Sequence, residues 1–233
     1  MSGARAQILQ AVRRGLDAAG SGRPAAEAAV AERLAARARN LGPARARLPV
    51  AAMRDLFAAK AMAANATVDR VLAADLPDAL LRYLGDRNLP PSVAMSPDFA
   101  LDPYPWGRAG LLEIARRRAE PADPVSVTPA FAGIAETGTL MLWSAAERPT
   151  TLNFLPETHV AVLRAGDVVP ALEDAWTRLR NALGTGAAEA ARPFPRTVNL
   201  ITGPSRTADI EQELILGAHG PRRLHILLVE DED

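Results

Sequence analysis

The spacing of apolar residues predicts helices and strands that alternate along most of the chain. Apolar side chains three or four positions apart mark one face of a helix, and short apolar or β-branched runs are typical of strands. On this basis we predict helices over residues 4–19, 25–39, 51–64, 77–86, 109–118, 168–183 and 207–216. The predicted strands cover residues 67–71, 92–95, 125–128, 139–143, 159–164, 198–201 and 224–229.

This order of elements predicts an α/β fold. Strands separated by helices of about 10–15 residues are typical of βαβ units, which build a largely parallel sheet. The runs at residues 198–201 and 226–229 are mainly apolar. Because helices cover both faces of a parallel sheet, we expect these two strands to be buried on both faces.

The first 48 residues differ from the rest of the chain in how little apolar bulk they carry. The large apolar side chains of the two helices predicted there are Ile8, Leu9, Val12, Leu16, Val30 and Leu34. Helices that bury so little apolar area are not stable alone. We therefore predict an Ala/Arg-rich helical arm over residues 1–48, packed on a partner or on the body or else frayed, and an α/β domain over residues 49–233.

The absence of cysteine narrows the chemistry that the chain can perform. The 233 residues include no cysteine and only three histidines, His159, His219 and His225. Disulfides, thiolate nucleophiles, zinc ribbons and Fe–S clusters held by this chain's own thiolates are thereby excluded. We predict no metal site and no cofactor held by this chain.

Charge and hydropathy indicate which partners and location to expect. The 27 basic residues are balanced by 27 acidic ones, so the surface as a whole is not suited to nucleic acid. The arginine-rich arm also lacks interleaved aromatic residues that could stack on bases. No run of about 18 apolar residues is present, so we predict no membrane span. The first residues show no hydrophobic signal region, and we expect a cytoplasmic protein.

Three loops between the predicted elements carry the candidate chemistry, and none contains a common catalytic or nucleotide-binding motif. The sequence lacks G-x-S-x-G, the P-loop, H-E-x-x-H and a G-x-G-x-x-G after a strand. Nucleotide phosphates therefore have no dedicated binding motif. In open α/β sheets, ligands bind beyond the carboxyl ends of the strands. We place the three loops at or beside that edge.

The first of these, the Glu136 loop, covers residues 133–139. Glu136 is a candidate acid or nucleophile, and the three residues that follow it offer small donors on a flexible backbone. These candidate anion-binding residues are Thr137, Gly138 and Thr139. The alternative is a plain turn with a solvated glutamate, and the pattern does not decide between the two.

The Arg206 loop, residues 202–211, leads from a predicted strand into a predicted helix. Its candidate anion-binding residues are Gly203, Ser205, Arg206, Thr207 and Asp209. Backbone N–H groups together with Arg206 could hold a carboxylate or a phosphate. The alternative is ordinary helix-start chemistry, in which Ser205 or Thr207 caps the predicted helix and Asp209 and Glu211 in its first turn favour the helix dipole. Capping does not require Arg206, which makes the arginine the stronger candidate.

The His219 loop, residues 217–221, follows the last predicted helix, where Gly217 is a typical helix stop. His219 lies between small residues and is a candidate catalytic proton acceptor, although a surface role is the commoner one for a loop histidine. We interpret His225 as structural, because it alternates within a predicted strand. His159 begins another predicted strand and is a weaker candidate.

Together, four segments of the sequence resemble one known family. They are GIAETGT at 133–139, FLPETHVAVL at 154–163, ITGPSRTADIE at 201–211 and GAHGPRRLHILLVED at 217–231. These segments are similar to the lactate-utilisation protein C family, the stand-alone LUD-domain proteins of the LutABC type, also called YkgG. The resemblance implies a three-layer α/β/α fold like that of the NagB/RpiA/CoA-transferase superfamily, here with an N-terminal helical arm.

The resemblance also implies a role in the oxidation of L-lactate to pyruvate, alongside two Fe–S partner proteins. Having no cysteine, the chain resembles the cluster-free member of such a system. We therefore expect a non-redox subunit that binds Fe–S-containing partners and, in one version, a small carboxylate such as L-lactate. In that version Arg206 pairs with the carboxylate, and His219 or Glu136 accepts a proton from the 2-hydroxyl group.

Two alternatives to the subunit hypothesis stay open. Related CoA transferases use a glutamate in a Glu-Asn-Gly turn, and Glu136-Thr137-Gly138 resembles that turn with threonine in place of asparagine. The chain would then be a stand-alone acyl- or CoA-transferase-like or sugar-isomerase-like enzyme using Glu136. The other alternative is a structural or regulatory module whose loops bind only an anion. The sequence does not decide whether the isolated chain is an enzyme.

Overall fold

A sheet of six strands forms the centre of the fold. The computed structural model of the protein describes residues 3–18, 23–36, 38, 48–184, 193–207 and 215–230. The helices in these residues are α1 (Gly3–Ala18), α2 (Arg23–Ala36), α3 (Val50–Ala63), α4 (Leu76–Asp86), α5 (Thr151–Phe154) and α6 (Leu172–Ala182). The strands are β1 (Thr67–Leu72), β2 (Ser92–Met95), β3 (Glu113–Arg116), β4 (Val125–Pro129), β5 (Ala132–Ile134), β6 (Thr139–Trp143), β7 (Thr158–Arg164), β8 (Val168–Val169), β9 (Val198–Ile201), β10 (Arg206–Thr207), β11 (Ile215–Leu216) and β12 (Arg223–Glu230).

The central sheet has the strand order β1-β12-β7-β4-β2-β3, and all neighbouring strands run parallel. One face packs against α4 and the other against α3. Strands β7 and β12 are buried along most of their length because both faces are covered. The predicted α/β fold, with a largely parallel sheet flanked by helices, is confirmed.

A smaller, mixed sheet lies next to α3 on the same side of the central sheet. Its order is β8-β5-β6-β9, with β8 parallel to β5 and the other pairs antiparallel. Leu140 and Leu142 of β6 face the core shared with the central sheet. The neighbouring Met141 faces α6, as alternation along a strand requires. The sequence pattern did not predict this second sheet.

The chain divides into two compact units, Met1–Gly42 and Pro43–Asp233. The first contains α1 and α2, so the predicted N-terminal helical arm is present. The arm's large apolar side chains, Ile8, Leu9, Val12, Leu16, Val30 and Leu34, are all exposed. The domain boundary at residue 48 stays a prediction. In the part of the chain that the structure describes, no helix has both the length and the hydrophobicity to cross a membrane.

The predicted helix over residues 109–118 is wrong. Residues Glu113–Arg116 form β3, which pairs with β2 at one edge of the central sheet. A helix would bury Leu111, which is instead 77% exposed, whereas Ile114 packs on the core. Pairing with a distant strand therefore outweighs the local helical spacing. Arg116 and Arg117 do not end a helix but form ion pairs with Asp102 and Asp123.

Two further predictions need correction: the start of helix α6 and the burial of strand β9. Helix α6 begins at Leu172 rather than at residue 168, because Val168 and Val169 pair with β5 as the short strand β8. Pro170 follows these residues, and the position before a proline disfavours helical backbone. Strand β9 is present, but it is the edge of the smaller sheet and Leu200 is 44% exposed. Of the two strands that we expected to be buried on both faces, the one containing residues 226–229 is buried and β9 is not.

The predicted helix over residues 207–216 is wrong at both of its ends. Arg206–Thr207 and Ile215–Leu216 form the antiparallel pair β10 and β11. Residues 208–214, which include the candidate Asp209, lie outside the described residues. Gly217 therefore follows a strand and does not stop a helix. Ser205 does not cap a helix start, because Arg206, the residue after it, belongs to a strand. The predicted capping role of Thr207 depends on the residues after it, which lie outside the described residues.

Candidate functional site

A pocket of about 270 Å³ lies at the amino-terminal edge of the central sheet. His159 and Leu224, near the starts of β7 and β12, form one side of it. Asn153 and Phe154 of α5 form a second side. Residues 202–206 of the Arg206 loop and residues 219–221 of the His219 loop complete the pocket. The Arg206 loop does follow the carboxyl end of β9, but β9 belongs to the smaller sheet. Relative to the central sheet, the pocket is at the opposite edge from the one expected.

The Arg206 loop and the His219 loop are joined by backbone hydrogen bonds at Ser205. The Ser205 N–H donates to the Pro221 carbonyl at 2.9 Å, and the Gly217 N–H donates to the Ser205 carbonyl at 2.9 Å. At Gly220, an added Cβ would lie 3.3 Å from the Ser205 Cβ, so the two loops pack closely. The two segments that sequence analysis considered separately thus form one wall of the pocket.

Two glycines anchor the Glu136 and Arg206 loops on the end of α3. Gly138 and Gly203 have φ angles of +67° and +72°, which side chains disfavour. A Cβ on Gly138 would lie 2.3 Å from the Ala61 nitrogen, and one on Gly203 would lie 1.9 Å from the Ala64 oxygen. Because these neighbours are backbone atoms, only glycine allows either loop to approach the helix this closely.

A chain of threonine hydroxyls links the Glu136 loop to the pocket. The Oγ1 atoms of Thr137 and Thr139 lie 2.7 Å apart, and those of Thr139 and Thr202 also lie 2.7 Å apart. Thr202 lines the pocket, whereas Thr137, Gly138 and Thr139 do not. The predicted anion-binding residues of the Glu136 loop therefore lie outside the pocket lining, and Thr139 contacts the lining residue Thr202.

Glu136 is not among the residues that line the pocket. Its Oε1 accepts a hydrogen bond from the Leu172 N–H at 3.0 Å, at the start of α6. A carboxylate at this position satisfies a free N–H group and interacts favourably with the helix dipole. The structure thus gives Glu136 a local partner on the smaller sheet's side of the fold. Its role as a catalytic residue stays a prediction.

Arg206 and His219 both line the pocket, as do Gly203 and Ser205. The side chains of Arg206 and His219 are exposed. Within the described part of the chain, no residue forms an ion pair or hydrogen bond with the Arg206 side chain. Thr207 does not line the pocket. The structure therefore brings four of the predicted residues together at one pocket.

His159 is a buried pocket residue to which sequence analysis gave little weight. Its relative exposure is 0%, and its Nε2 lies 2.7 Å from the Thr128 Oγ1 of β4. Its Nδ1 has no hydrogen-bond partner among the described residues. Burial lowers the pKa of His159 to about 4, so the ring is neutral at pH 7. The FLPETH segment was the only signal that could have drawn attention to it.

Asn153 is a second buried polar residue of the pocket, and sequence analysis missed it. It lies on the four-residue helix α5 and is 6% exposed. No signal in the sequence marks it, because its neighbourhood depends on α5 packing over β4 and β7. The third histidine, His225, does not line the pocket, because it faces the opposite side of the central sheet from its neighbour Leu224. It stacks on Tyr83 and shares a hydrogen bond with Thr67 Oγ1, which supports its structural interpretation.

The pocket combines one exposed guanidinium, several small polar groups and apolar side chains. The apolar lining includes Phe154, Leu200, Ile201 and Leu224. A planar guanidinium binds carboxylate and phosphate oxygens in pairs, and its charge does not titrate near neutral pH. The arrangement can therefore hold a small anion that carries an alkyl group. Among the described residues, no group of three or more His, Asp or Glu side chains is placed to bind a metal ion.

Comparisons with known proteins identify relatives of this chain. The family model of the LUD domain matches residues 84–229. A lactate utilization protein C of Geobacillus thermodenitrificans is 36% identical over 120 residues, which are 51% of this chain and 48% of that protein. The protein of the same name in Bacillus subtilis is 34% identical over 115 residues, 49% of this chain and 45% of its own length. YkgG of Escherichia coli is 37% identical over 107 residues, 46% of this chain and 44% of its length.

These matches span about half the length of the curated relatives. One solved structure, a DUF162 family protein from Deinococcus radiodurans, is 24% identical and superposes with a TM-score of 0.57. The match covers 78% of this chain and 99% of that one, and it supports the fold alone. Because the LUD model covers well over half of the residues, the chain belongs to the LUD-domain family.

Proposed function

We propose that this protein is a non-redox component of a lactate-utilisation system and that its pocket binds a small carboxylate such as L-lactate. The observation that carries the proposal is the position of Arg206, which lines the pocket with no ion-pair partner among the described residues. The names of the relatives supply the lactate context. In this proposal Arg206 binds the carboxylate in bidentate fashion.

The other pocket residues have supporting roles in the proposed complex. Ser205, held by backbone bonds to the His219 loop, offers a hydroxyl beside Arg206. His219 is exposed at the same pocket and is the proposed acceptor of the 2-hydroxyl proton. The apolar residues Leu200 and Ile201 contact the alkyl end of the ligand.

The electrons of lactate oxidation require partner proteins in this proposal. The chain has no cysteine and so supplies no thiolate ligand for an Fe–S cluster. We propose that Fe–S-containing subunits of the same system accept the electrons and bind this protein. Lactate-dependent dye reduction should therefore appear only when the purified protein is combined with those subunits. Turnover by this protein alone would contradict the subunit proposal.

Calorimetric titration of the purified full chain with L-lactate tests the binding site directly. We expect Arg206→Gln to weaken lactate binding by about tenfold or more, because a charge-assisted pair is lost. Arg82→Gln is the matched control, since Arg82 is exposed on α4, on the opposite face of the central sheet. Unchanged affinity in Arg206→Gln, or no binding by the wild type, would refute the proposed site.

Affinity purification from cells grown on lactate tests the partners. We expect Fe–S proteins to co-purify with the tagged chain and to be detectable by their iron content and visible absorbance. A chain that purifies without any Fe–S protein under these conditions would remove the support for a subunit role. Binding of phosphate with the same affinity as lactate would instead favour an anion-binding regulatory module.

A further inference from the structure

Polar side chains are buried between the central sheet and α5, next to the pocket. They are Ser126, Thr128, Asn153 and His159. Burying polar groups in a protein core costs stability unless each finds a hydrogen-bond partner. Ser126 has one, because its hydroxyl donates to the Leu152 carbonyl at 2.5 Å. His159 has a partner on one side of its ring only.

The unpaired nitrogen of His159 belongs to a residue that lines the pocket. Nε2 shares a hydrogen bond with Thr128, and Nδ1 has no partner within the residues described. The ring is neutral at pH 7, so it carries one N–H donor and one lone-pair acceptor. A ligand in the pocket could supply the missing partner for Nδ1.

The Thr128 hydroxyl allows His159 to present either a donor or an acceptor at Nδ1. If Thr128 donates to Nε2, then Nδ1 carries the proton and can donate to a carbonyl oxygen. If Thr128 accepts from Nε2–H, then Nδ1 is a lone-pair acceptor for a hydroxyl group. A hydroxyl group rotates at little cost, so the same pair of residues serves both cases.

We propose that His159, oriented by Thr128, recognises the oxygen on the second carbon of a 2-hydroxy or 2-oxo carboxylate and thereby determines the specificity of the pocket. This inference rests on the proposed function, in which Arg206 binds the carboxylate of the same ligand. Leu224 and Ile201 line the pocket as well and suit a short alkyl group on that carbon. The substrate class is thus a small carboxylate with an oxygen on the neighbouring carbon.

Titration of the full chain with three matched ligands separates this inference from the proposed function. L-lactate has the 2-hydroxyl group, pyruvate has the 2-oxo group, and propionate has neither. We expect propionate to bind about three- to tenfold more weakly than the other two, because Nδ1 then stays unpaired. Equal affinity for all three would overturn the role of His159 and leave carboxylate binding intact. No binding of any of them would refute the proposed function itself.

Variants of His159 and Thr128 test whether these two residues cause the preference for lactate and pyruvate over propionate. His159→Gln keeps an amide that can reach Thr128 but places no atom at Nδ1, so we expect the preference over propionate to disappear. His159→Asn places an amide atom near the Nδ1 position and should retain part of the preference. Thr128→Ser keeps the hydroxyl and should behave as the wild type. A wild-type preference in His159→Gln would contradict the proposal.

Nitrogen NMR of the histidine rings gives a readout that a merely structural role would not change. With only three histidines in the chain, the His159 signals can be assigned by comparison with His159→Gln. We expect Nδ1 to be the unprotonated nitrogen in the lactate complex and the protonated one in the pyruvate complex. An identical tautomer with both ligands would overturn the proposed switch, and the tautomers themselves are read from the wild-type protein.

Discussion

The Glu136 loop and the Arg206 loop both contain residues suited to anion binding, yet their polar groups are used differently. Glu136 accepts the Leu172 N–H, and the hydroxyls of Thr137 and Thr139 bond to each other. The Arg206 side chain has no such partner within the described residues and lines a pocket with His219. The polar groups of the first loop are thus paired within the fold, whereas the guanidinium of the second is exposed at the pocket.

This difference shows that a polar motif in a sequence can stabilise a site without forming it. The Glu136 loop rests on α3 through Gly138 and contacts the pocket residue Thr202 through Thr139. The Arg206 loop rests on the same helix through Gly203. The two loops therefore share an anchor and differ in what they present. The four experiments that follow test this division and the pocket beside it, beginning with the largest expected effect.

Gly203→Ala should destabilise the protein by about 3–5 kcal/mol. The new Cβ would have to occupy a position 1.9 Å from the Ala64 oxygen, at a φ of +72° that alanine disfavours. Urea unfolding followed by circular dichroism measures the change. Gly85→Ala is the matched control, since a Cβ there meets nothing within 4 Å and removal of a helical glycine should stabilise by about 0.5–1 kcal/mol. Similar stabilities for the two variants would show that the α3 anchor is not tight.

Acid should destabilise the protein through the buried His159. The pKa of this group is about 4 in the folded protein and about 6.5 in an unfolded chain. The folded state therefore binds the proton less readily, so stability is complete above pH 6.5 and is lost as the pH falls towards 4. Between pH 7.5 and 5 the loss from this residue should be about 2 kcal/mol. His159→Gln should lose correspondingly less in unfolding experiments at the two pH values, and an equal loss would contradict the prediction.

Arg206→Lys should weaken L-lactate binding by about five- to tenfold, or about 1 kcal/mol. Lysine keeps the positive charge but cannot form two parallel hydrogen bonds to one carboxylate. Calorimetry at low and at physiological salt measures the affinity. A lysine variant with wild-type affinity would indicate that Arg206 acts only as a point charge. In that case the Arg206 loop would be less specialised than the comparison with the Glu136 loop suggests.

Glu136→Gln should have the smallest effect, a stability loss of about 0.5 kcal/mol from the weaker interaction with the start of α6. Its amide oxygen can still accept the Leu172 N–H, so the loop should keep its conformation. Lactate affinity should equal that of the wild type, because Glu136 does not line the pocket. Loss of turnover on an acyl or sugar-acid substrate in this variant would instead support the transferase alternative and reverse the roles of the two loops.

The local pattern of apolar residues was sufficient to predict the strands that are buried on both faces. The apolar runs of β4, β7 and β12 are where the sequence predicted them, because such runs are buried wherever a parallel sheet is covered by helices. Strand β3 was predicted as a helix, since only its pairing with β2 distinguishes it. The β10 and β11 pair was also missed, because strands of two residues are too short to show a spacing of apolar residues. Pairing between distant strands is not encoded in the spacing of apolar residues.

The candidate site was predictable only in part. Arg206 was the stronger candidate of its loop because capping does not account for an arginine, and the structure places it at the pocket. The sequence could not show that His159 is a buried pocket residue with a single hydrogen-bond partner. Its surroundings depend on the strand register that brings β4 beside β7 and Thr128 next to the His159 ring. The sequence also placed the loops at the wrong edge of the central sheet. That error followed from not predicting the smaller sheet, which contains β9.

The position of β12 has a consequence for how the chain folds during synthesis. This strand lies between β1 and β7, and β1 pairs with no other strand of the central sheet. The backbone N–H and C=O groups of β1 therefore have no strand to pair with until β12, which ends at residue 230, has left the ribosome. Such long-range pairing slows folding and exposes an open strand edge to other nascent chains. A chain truncated before residue 223 should leave β1 unpaired, and we expect chaperones to bind such a chain.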